Sequence, residues 1–326
     1  MPREGKSHPD HLEVMVAKPV ERIVTLVPNA TEIVCAIGLG DRLVGRSHEC
    51  DHPAWVQRLP AVTSSKIESA KPSAEIDRDV KRLLSNALSL YDVDRERLAM
   101  LKPDLVVTQD QCEVCAVSRA DVEKALAETT GTDTHLLSLA PAQLSDVWND
   151  IRRVGEAAAA PNAAADLAAV LEERISRIVE KSRNLERRSL GALEWLEPLM
   201  AAGNWVPELI GIAGGTDPFG TPGQHAPWLD WKTLAREDPE ILVTMPCGFG
   251  IDRTRREMPA LTIRPEWPKL RAVREGRVYI TDGNQFFNCP GPRLVESAEV
   301  LAEIIHPDTF HFGHEGRGWV RWTKRP

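Results

Sequence analysis

Six cysteines are the residues of this chain with the widest chemical range, and they are spread unevenly. Cys112 and Cys115 form a C-x-x-C pair. Such a pair serves as a redox couple, as half of a zinc site or as part of an iron–sulfur site, and two unrelated loop thiols have the same spacing. Cys50, Cys247 and Cys289 each follow an apolar run, whereas Cys35 falls within a helical pattern and reads as a small buried hydrophobe. If Cys50, Cys112, Cys115 and Cys247 meet in one cleft, four thiolates match the ligand count of a closed zinc site or a cubane cluster. His48, His52 and His225 lie in comparable loops. Each alone reads as a surface or hydrogen-bonded imidazole.

Other chemistries have no anchor. There is no G-x-G-x-x-G after a strand, no G-x-x-x-x-G-K-[ST] and no G-x-S-x-G, so nucleotide binding and serine hydrolysis are set aside. Gly211 to Gly215 reads as a helix end rather than a phosphate cradle. A formal net charge of −8, with no Lys/Arg stripe interleaved with aromatics, argues against nucleic acid as a partner. Nine tryptophans stand against two tyrosines. Trp195, Trp205 and Trp228 fall at element ends, where an indole covers a flat ligand or packs into a core.

The elements that must position these residues alternate strand and helix. Arg22 to Val27 is a β-branched strand, Pro28 and Asn29 break it, and Thr31 to Ile37 is a short helix ended by Gly38 and Gly40. Leu43 to Ser47 is the next strand, followed by a polar loop through Cys50 to Pro53. Helical spacing extends over Ile76 to Leu90 and Asp94 to Leu101. Leu105 to Thr108 is a buried strand that opens into Gln109 to Cys115, and Leu136 to Leu139 is another. Gln143 to Ala160 is helical, Pro161 breaks it, and Asn162 caps a second helix to about Arg183. Leu167, Val170, Leu171, Ile175, Ile178 and Val179 give that helix one apolar stripe. The alternation resumes with strands at Leu190 to Leu196, Ile241 to Met245 and Arg277 to Thr281, and helices at Val206 to Ala213 and Pro292 to Ile305.

At 326 residues the chain suits two cores. The pattern predicts an α/β protein of two Rossmann-like lobes with central parallel sheets joined by one long connector helix. The divisions are a polar lead (1–20), a first lobe (21–141), connector helices (142–187), a second lobe (188–309) and an unassigned tail (310–326). The first twenty residues hold no apolar stretch of the about seven or more residues that a secretory signal needs, and no later segment approaches the roughly 20 that span a bilayer. No membrane span is expected, and the expected compartment is the cytoplasm.

Arg22-Ile23-Val24-Thr25-Leu26-Val27-Pro28-Asn29-Ala30-Thr31-Glu32, then Gly38-Leu39-Gly40-Asp41-Arg42-Leu43-Val44-Gly45, then Leu101-Lys102-Pro103-Asp104-Leu105-Val106-Val107 resemble the first lobe of the cobalamin-binding proteins of bacterial ABC importers. Gly214-Gly215-Thr216-Asp217, Asp238-Pro239-Glu240-Ile241-Leu242-Val243 and Gly291-Pro292-Arg293-Leu294 keep the order in the second lobe. The resemblance covers residues 21 to 306 and implies the helical-backbone class of periplasmic binding fold, which binds cobalamin, haem, iron–siderophore or bare metal between its lobes. Members present an acidic residue on each lobe to a permease. Glu96 matches the first; the second lobe, short between Pro227 and Pro239, offers no clear counterpart, which leaves permease docking open. Cysteines stand where the cobalamin proteins use aromatic and polar contacts, and Gln109 stands about where one such tryptophan would.

Ligands of open parallel sheets collect beyond the carboxyl ends of the strands. That rule places a ligand among Pro28, Glu49, Cys50, Gln109, Asp110, Gln111 and Cys112 on one lobe. On the other it selects Trp195, Glu197, Trp205, Gly248, Phe249, Asn284, Gln285, Phe286 and Asn288. The leading expectation is binding without turnover of cobalamin, a related corrinoid or another metal-containing cofactor. The alternatives are a metalloprotein or enzyme whose Cys50, Cys112, Cys115 and Cys247 hold an iron–sulfur cluster or zinc, and an importer receptor.

Overall fold

The protein, seen in a computed structural model that describes residues 19–85, 90–110, 119–129 and 134–323, alternates strand and helix from its first β-branched run onward. β1 (Ile23–Thr25), α1 (Pro28–Ala36), β2 (Leu43–Arg46), β3 (Thr63–Ser65), α2 (Ser73–Ser85), β4 (Tyr91–Val93), α3 (Arg95–Leu101), β5 (Leu105–Gln109), α4 (Arg119–Thr129) and β6 (His135–Leu139) make the first lobe. Its parallel sheet runs β2-β1-β5-β6, and β3 and β4 form a separate antiparallel ribbon. Ile23, Val24, Leu105, Val106 and Val107 are wholly buried because apolar clusters cover the sheet on both faces, as unbroken apolar strands require.

α5 (Leu144–Ala157) and α6 (Pro161–Ser182) lead to the second lobe. There follow β7 (Arg188–Leu196), β8 (Leu199–Ala201), α7 (Val206–Ile212), β9 (Gly215–Thr216), α8 (Trp231–Glu237), β10 (Ile241–Thr244), α9 (Ile251–Glu257), α10 (Pro259–Thr262), α11 (Arg271–Arg274), β11 (Val278–Thr281), α12 (Leu294–Ile305) and β12 (Trp319–Arg321). The sheet runs β12-β11-β10-β7-β8, with β9 also on β7. The α/β architecture of two lobes joined by a long helix is thus the one the sequence predicts.

Several boundaries differ from expectation for physical reasons. Pro28 and Pro161 open helices instead of breaking them, because a first-turn proline gives up only an N–H that has no helical partner. Asn162 consequently lies inside α6, and its cap is Ala160. The second helix begins at Ser73, not Ile76; residues 86–89, just before its expected end at Leu90, lie outside the described residues. The unassigned tail supplies β12, an antiparallel edge on β11. Glu303 holds it by accepting from the Gly313 and His314 amides and from Trp319 Nε1, while His314 Nε2 meets Glu299, which also takes Arg174 from α6.

α6 has 22 residues, about 33 Å at 1.5 Å per residue, long enough to run beside both lobes. Its buried stripe is narrower than the expected one: Ala164, Ala168, Leu171, Ile175 and Ile178 point inward, whereas Val170 and Val179 are 56% and 42% exposed. Small residues at the start of that stripe let α5 cross closely. A Cβ on Gly155 of α5 would sit 2.2 Å from the Cβ of Ala164 and 3.1 Å from the Ala160 carbonyl oxygen. One apolar cluster is continuous from α1 through α5 and α6 into α7 and α12, so the lobes share a core. Gly155→Ala should force the crossing apart and lower unfolding free energy by about 1–3 kcal/mol, the usual cost of overpacking. Val170→Ala on the exposed face should stay within about 0.5 kcal/mol. Equal urea midpoints for the two variants would contradict the close crossing.

Candidate ligand-binding cleft

Loops beyond the carboxyl ends of β1 and β2 meet those beyond β10 and β11, and this meeting defines the cleft. At its floor Asn29 Nδ2 donates to the Pro290 carbonyl at 3.3 Å, and Arg293 donates to both oxygens of Glu32 at 2.5 and 3.0 Å. Cys289 Sγ donates to Glu32 Oε1 at 3.3 Å. Burial pushes the Glu32 carboxyl above its usual range, and the Arg293 guanidinium works against that shift. Further out, Asn284 Nδ2 donates to Asp51 Oδ2 at 3.0 Å. The floor is therefore a polar clasp between lobes, in which one buried arginine faces several carboxyls.

The first-lobe wall is the loop after β2. Ser47, His48 and Thr63 bond in series: Thr63 Oγ1 donates to Ser47 Oγ at 3.0 Å and accepts from the His48 amide at 3.1 Å, and His48 Nδ1 meets it at 2.8 Å. This holds the His48 ring 5.6 Å from Tyr91, whose hydroxyl donates to Glu49 Oε1 at 3.3 Å. Glu49 keeps accessible surface, yet surrounding protein raises its carboxyl to about 7, the combination expected of a group inside a cleft. Desolvation is the main cause; nearby Asp51 adds to it and the Tyr91 hydroxyl opposes it. Desolvation also lowers His48, which favours a neutral imidazole.

On the second lobe Trp195, near the end of β7, lies 5.2 Å from Phe249 in the loop after β10, and the Arg253 guanidinium covers Phe249 at 4.4 Å. Trp195 Nε1 is buried without a hydrogen-bond partner. The loop after β11 forms a single π-helical turn, Gly283–Phe287, a conformation common at functional sites. Asp282 caps it by accepting from the Asn284 and Gln285 amides at 3.1 and 2.8 Å. Gly283 is required there, since a Cβ would lie 2.3 Å from the Pro246 carbonyl oxygen.

The expected site residues divide accordingly. Glu49, Trp195, Asn284 and Gln285 reach the cleft loops, Pro28 starts α1 half-buried, and Glu197 is half-buried in the β7–β8 turn. Gln109 ends β5 almost fully buried, beside exposed Asp110. Gly248 supplies a φ of +74 that lets the β10 loop turn. Other expectations need correction. Cys50 is buried in the first-lobe core, where desolvation lifts its thiol to about 12. Trp205 is buried and donates Nε1 to the Phe287 carbonyl at 2.8 Å, which makes it a support of the turn rather than a ligand face. Phe286 is buried under Arg293, and Asn288 ties the turn to the Met245 and Gly283 carbonyls.

Gln111, Cys112 and Cys115 lie outside the described residues. Among the described residues no group of three or more His, Cys, Asp or Glu is placed to hold a metal, and Cys247 is half-buried apart from any such group. Nor is any described helix long and apolar enough to cross a membrane. The sequence reading passed over Glu32, Arg293, Cys289, Asp51 and Tyr91 as site residues. Pro28 to Glu32 and Gly291 to Leu294 did stand out as motifs, but their pairing across the chain leaves no local signal.

Comparison with known proteins places this geometry. The chain is 26% identical over 307 residues to an uncharacterised ABC transporter substrate-binding lipoprotein of Bacillus subtilis, covering 91% of this chain and 84% of that one. It is 25% identical to the vitamin B12-binding protein of Vibrio parahaemolyticus, covering 78% of this chain and 82% of the relative. A periplasmic haem-binding protein from Pseudomonas aeruginosa shares the fold with a TM-score of 0.70 at 17% identity, over 94% of this chain and 99% of that one. The periplasmic vitamin B12-binding protein BtuF of Vibrio cholerae does so with a TM-score of 0.64 at 19% identity, over 88% and 97%. The sequence profile of the periplasmic binding protein family matches residues 23–284, and the chain belongs to that family.

Proposed function

We propose that this family member binds, without turnover, a large metal-containing ring in the interlobe cleft, with cobalamin or a related corrinoid as the ligand. The observation that carries the reading is the aromatic wall, in which half-buried Trp195, whose buried Nε1 has no hydrogen-bond partner, is backed by buried Phe249. Glu49 on the opposite lobe adds a carboxyl poised near neutrality. Sites of this kind draw affinity from apolar burial and selectivity from a few oriented polar groups. The vitamin B12-binding relatives support a corrinoid, and the haem-binding structural neighbour makes haem the second ring to test. Docking to a permease through Glu96, exposed on α3, belongs to the same proposal, supported by the similarity to an ABC transporter substrate-binding lipoprotein.

Hydroxocobalamin added to the protein should quench tryptophan fluorescence at one equivalent. Trp195→Ala should weaken binding roughly tenfold, the equivalent of an aromatic contact of about 1.4 kcal/mol. A silent titration at high micromolar concentration removes corrinoids, and the same titration with haemin then decides the second ring.

Glu49 should make binding pH-dependent. Below about 7 its carboxyl is neutral, and above about 7 it is a carboxylate. Affinity for a cationic metal centre should therefore rise as pH passes through 7, and Glu49→Gln should flatten the profile. The ligand-free protein responds in the opposite sense. Because the folded-state value is raised from 4.5 to about 7, the folded protein holds the proton more tightly, and stability falls as pH rises through that window. Thermal melts of wild type and Glu49→Gln between those limits should converge at low pH and diverge at high pH. Parallel melts would sink the assignment of a raised carboxyl.

A further inference from the structure

The segment between β3 and β4 stands apart from the rest of the first lobe. Its base is a closed antiparallel ribbon, Thr63 opposite Val93 and Ser65 opposite Tyr91, tied by the Lys66 amide to the Leu90 carbonyl at 2.9 Å. Beyond that base the chain runs out to α2, and the main packing partner of α2 is β7 of the opposite lobe. Ser73 donates from both its amide and its hydroxyl to Glu257 Oε2, at 3.1 and 3.0 Å. Arg253 donates to the Lys71 carbonyl, and Lys81 Nζ stands 4.9 Å above the ring of Trp228, which is otherwise 60% exposed.

α2 is strongly amphipathic, but its apolar side is not absorbed by a core. Ser73 is its one buried residue among those described. Ile76, Val80, Leu83 and Leu84 belong to none of the three apolar clusters. At 100° per residue, Val80 and Leu84 fall within about 20° of Ser73, so this stripe lies on the side by which α2 meets the second lobe. One of the residues that latch it, Arg253, also covers Phe249 of the aromatic wall. An apolar helix face left half-covered at the rim of a ligand cleft is matched by an apolar ligand beneath it.

We propose that residues 66–85 form a lid latched to the second lobe by Glu257, Arg253 and Trp228, whose apolar stripe covers the ligand and whose opening admits and releases it. The proposal rests on the ligand reading above. It also follows from the shared core, which leaves the angle between lobes little freedom, so that access has to come from a smaller element. The latch consists of a few part-buried polar contacts outside the apolar clusters, the kind that opens locally while the core stays intact.

The test uses wild type, Glu257→Ala and Trp228→Ala. In ligand-free protein, amide exchange over 73–85 should rise about tenfold in Glu257→Ala, the loss of roughly one charge-assisted hydrogen bond, with α5 and α6 unchanged. Release of bound hydroxocobalamin or haemin should quicken by a similar factor in both variants. Wild-type scattering profiles with and without the ring should superimpose. Unchanged exchange in Glu257→Ala overturns the lid, and so does ligand-induced contraction of the whole particle. Wild type that binds neither ring overturns the ligand reading instead, while the exchange result still decides whether the latch exists.

Discussion

The rest of the structure depends on the apolar contact that runs without a break from α1 through α5 and α6 into α7 and α12. Leu171, Ile175 and Ile178 of α6 pack in the same cluster as Ile33 of the first lobe and Leu301 of the second. Two sheets joined by a loop would be free to rotate about its dihedral angles. Here rotation would open a close-packed interior, in which even one methylene is felt. The close crossing of Gly155 and Ala164 tightens this spine where the chain turns from α5 to α6.

A fixed lobe geometry allows polar groups to be buried between the lobes. Glu32 and Arg293 come from residues 261 apart in sequence, and both are almost fully buried. Desolvation of such a pair is repaid only when the geometry is good and spare hydrogen-bonding capacity is used. The two bonds from Arg293 and the thiol donor of Cys289 meet that requirement. Desolvation is also the first cause of the raised carboxyls of Glu49 and Asp282. The cleft thus concentrates carboxyls that ionise reluctantly, around a single buried guanidinium.

The cysteines show how environment decides chemistry. Cys50 and Cys289 both follow strand ends, as reactive or metal-binding cysteines do. Burial nevertheless drives both thiols up, and Cys289 spends its proton on Glu32. These two thiols serve packing and hydrogen bonding. The tail is a second case of roles assigned by partners: residues without a periodic pattern become an ordered edge because Glu303 and Glu299 of α12 offer acceptors to its amides, His314 and Trp319.

By itself the sequence determined the alternation of strands and helices, the two-lobed α/β class and the long connector, because burial periodicity and turn residues act over a few neighbours. It also determined which loops end at the cleft, since in a parallel sheet that follows from strand direction. The prolines at 28 and 161 misled the local reading: the same residue opens or breaks a helix according to whether its missing N–H had a partner. Only the tertiary structure decided which loop residues face the cleft. Cys50 and Trp205 turned inward, Glu49 and Trp195 toward the cleft, and Glu32 found Arg293, because desolvation and pairing depend on atoms brought in from distant parts of the chain.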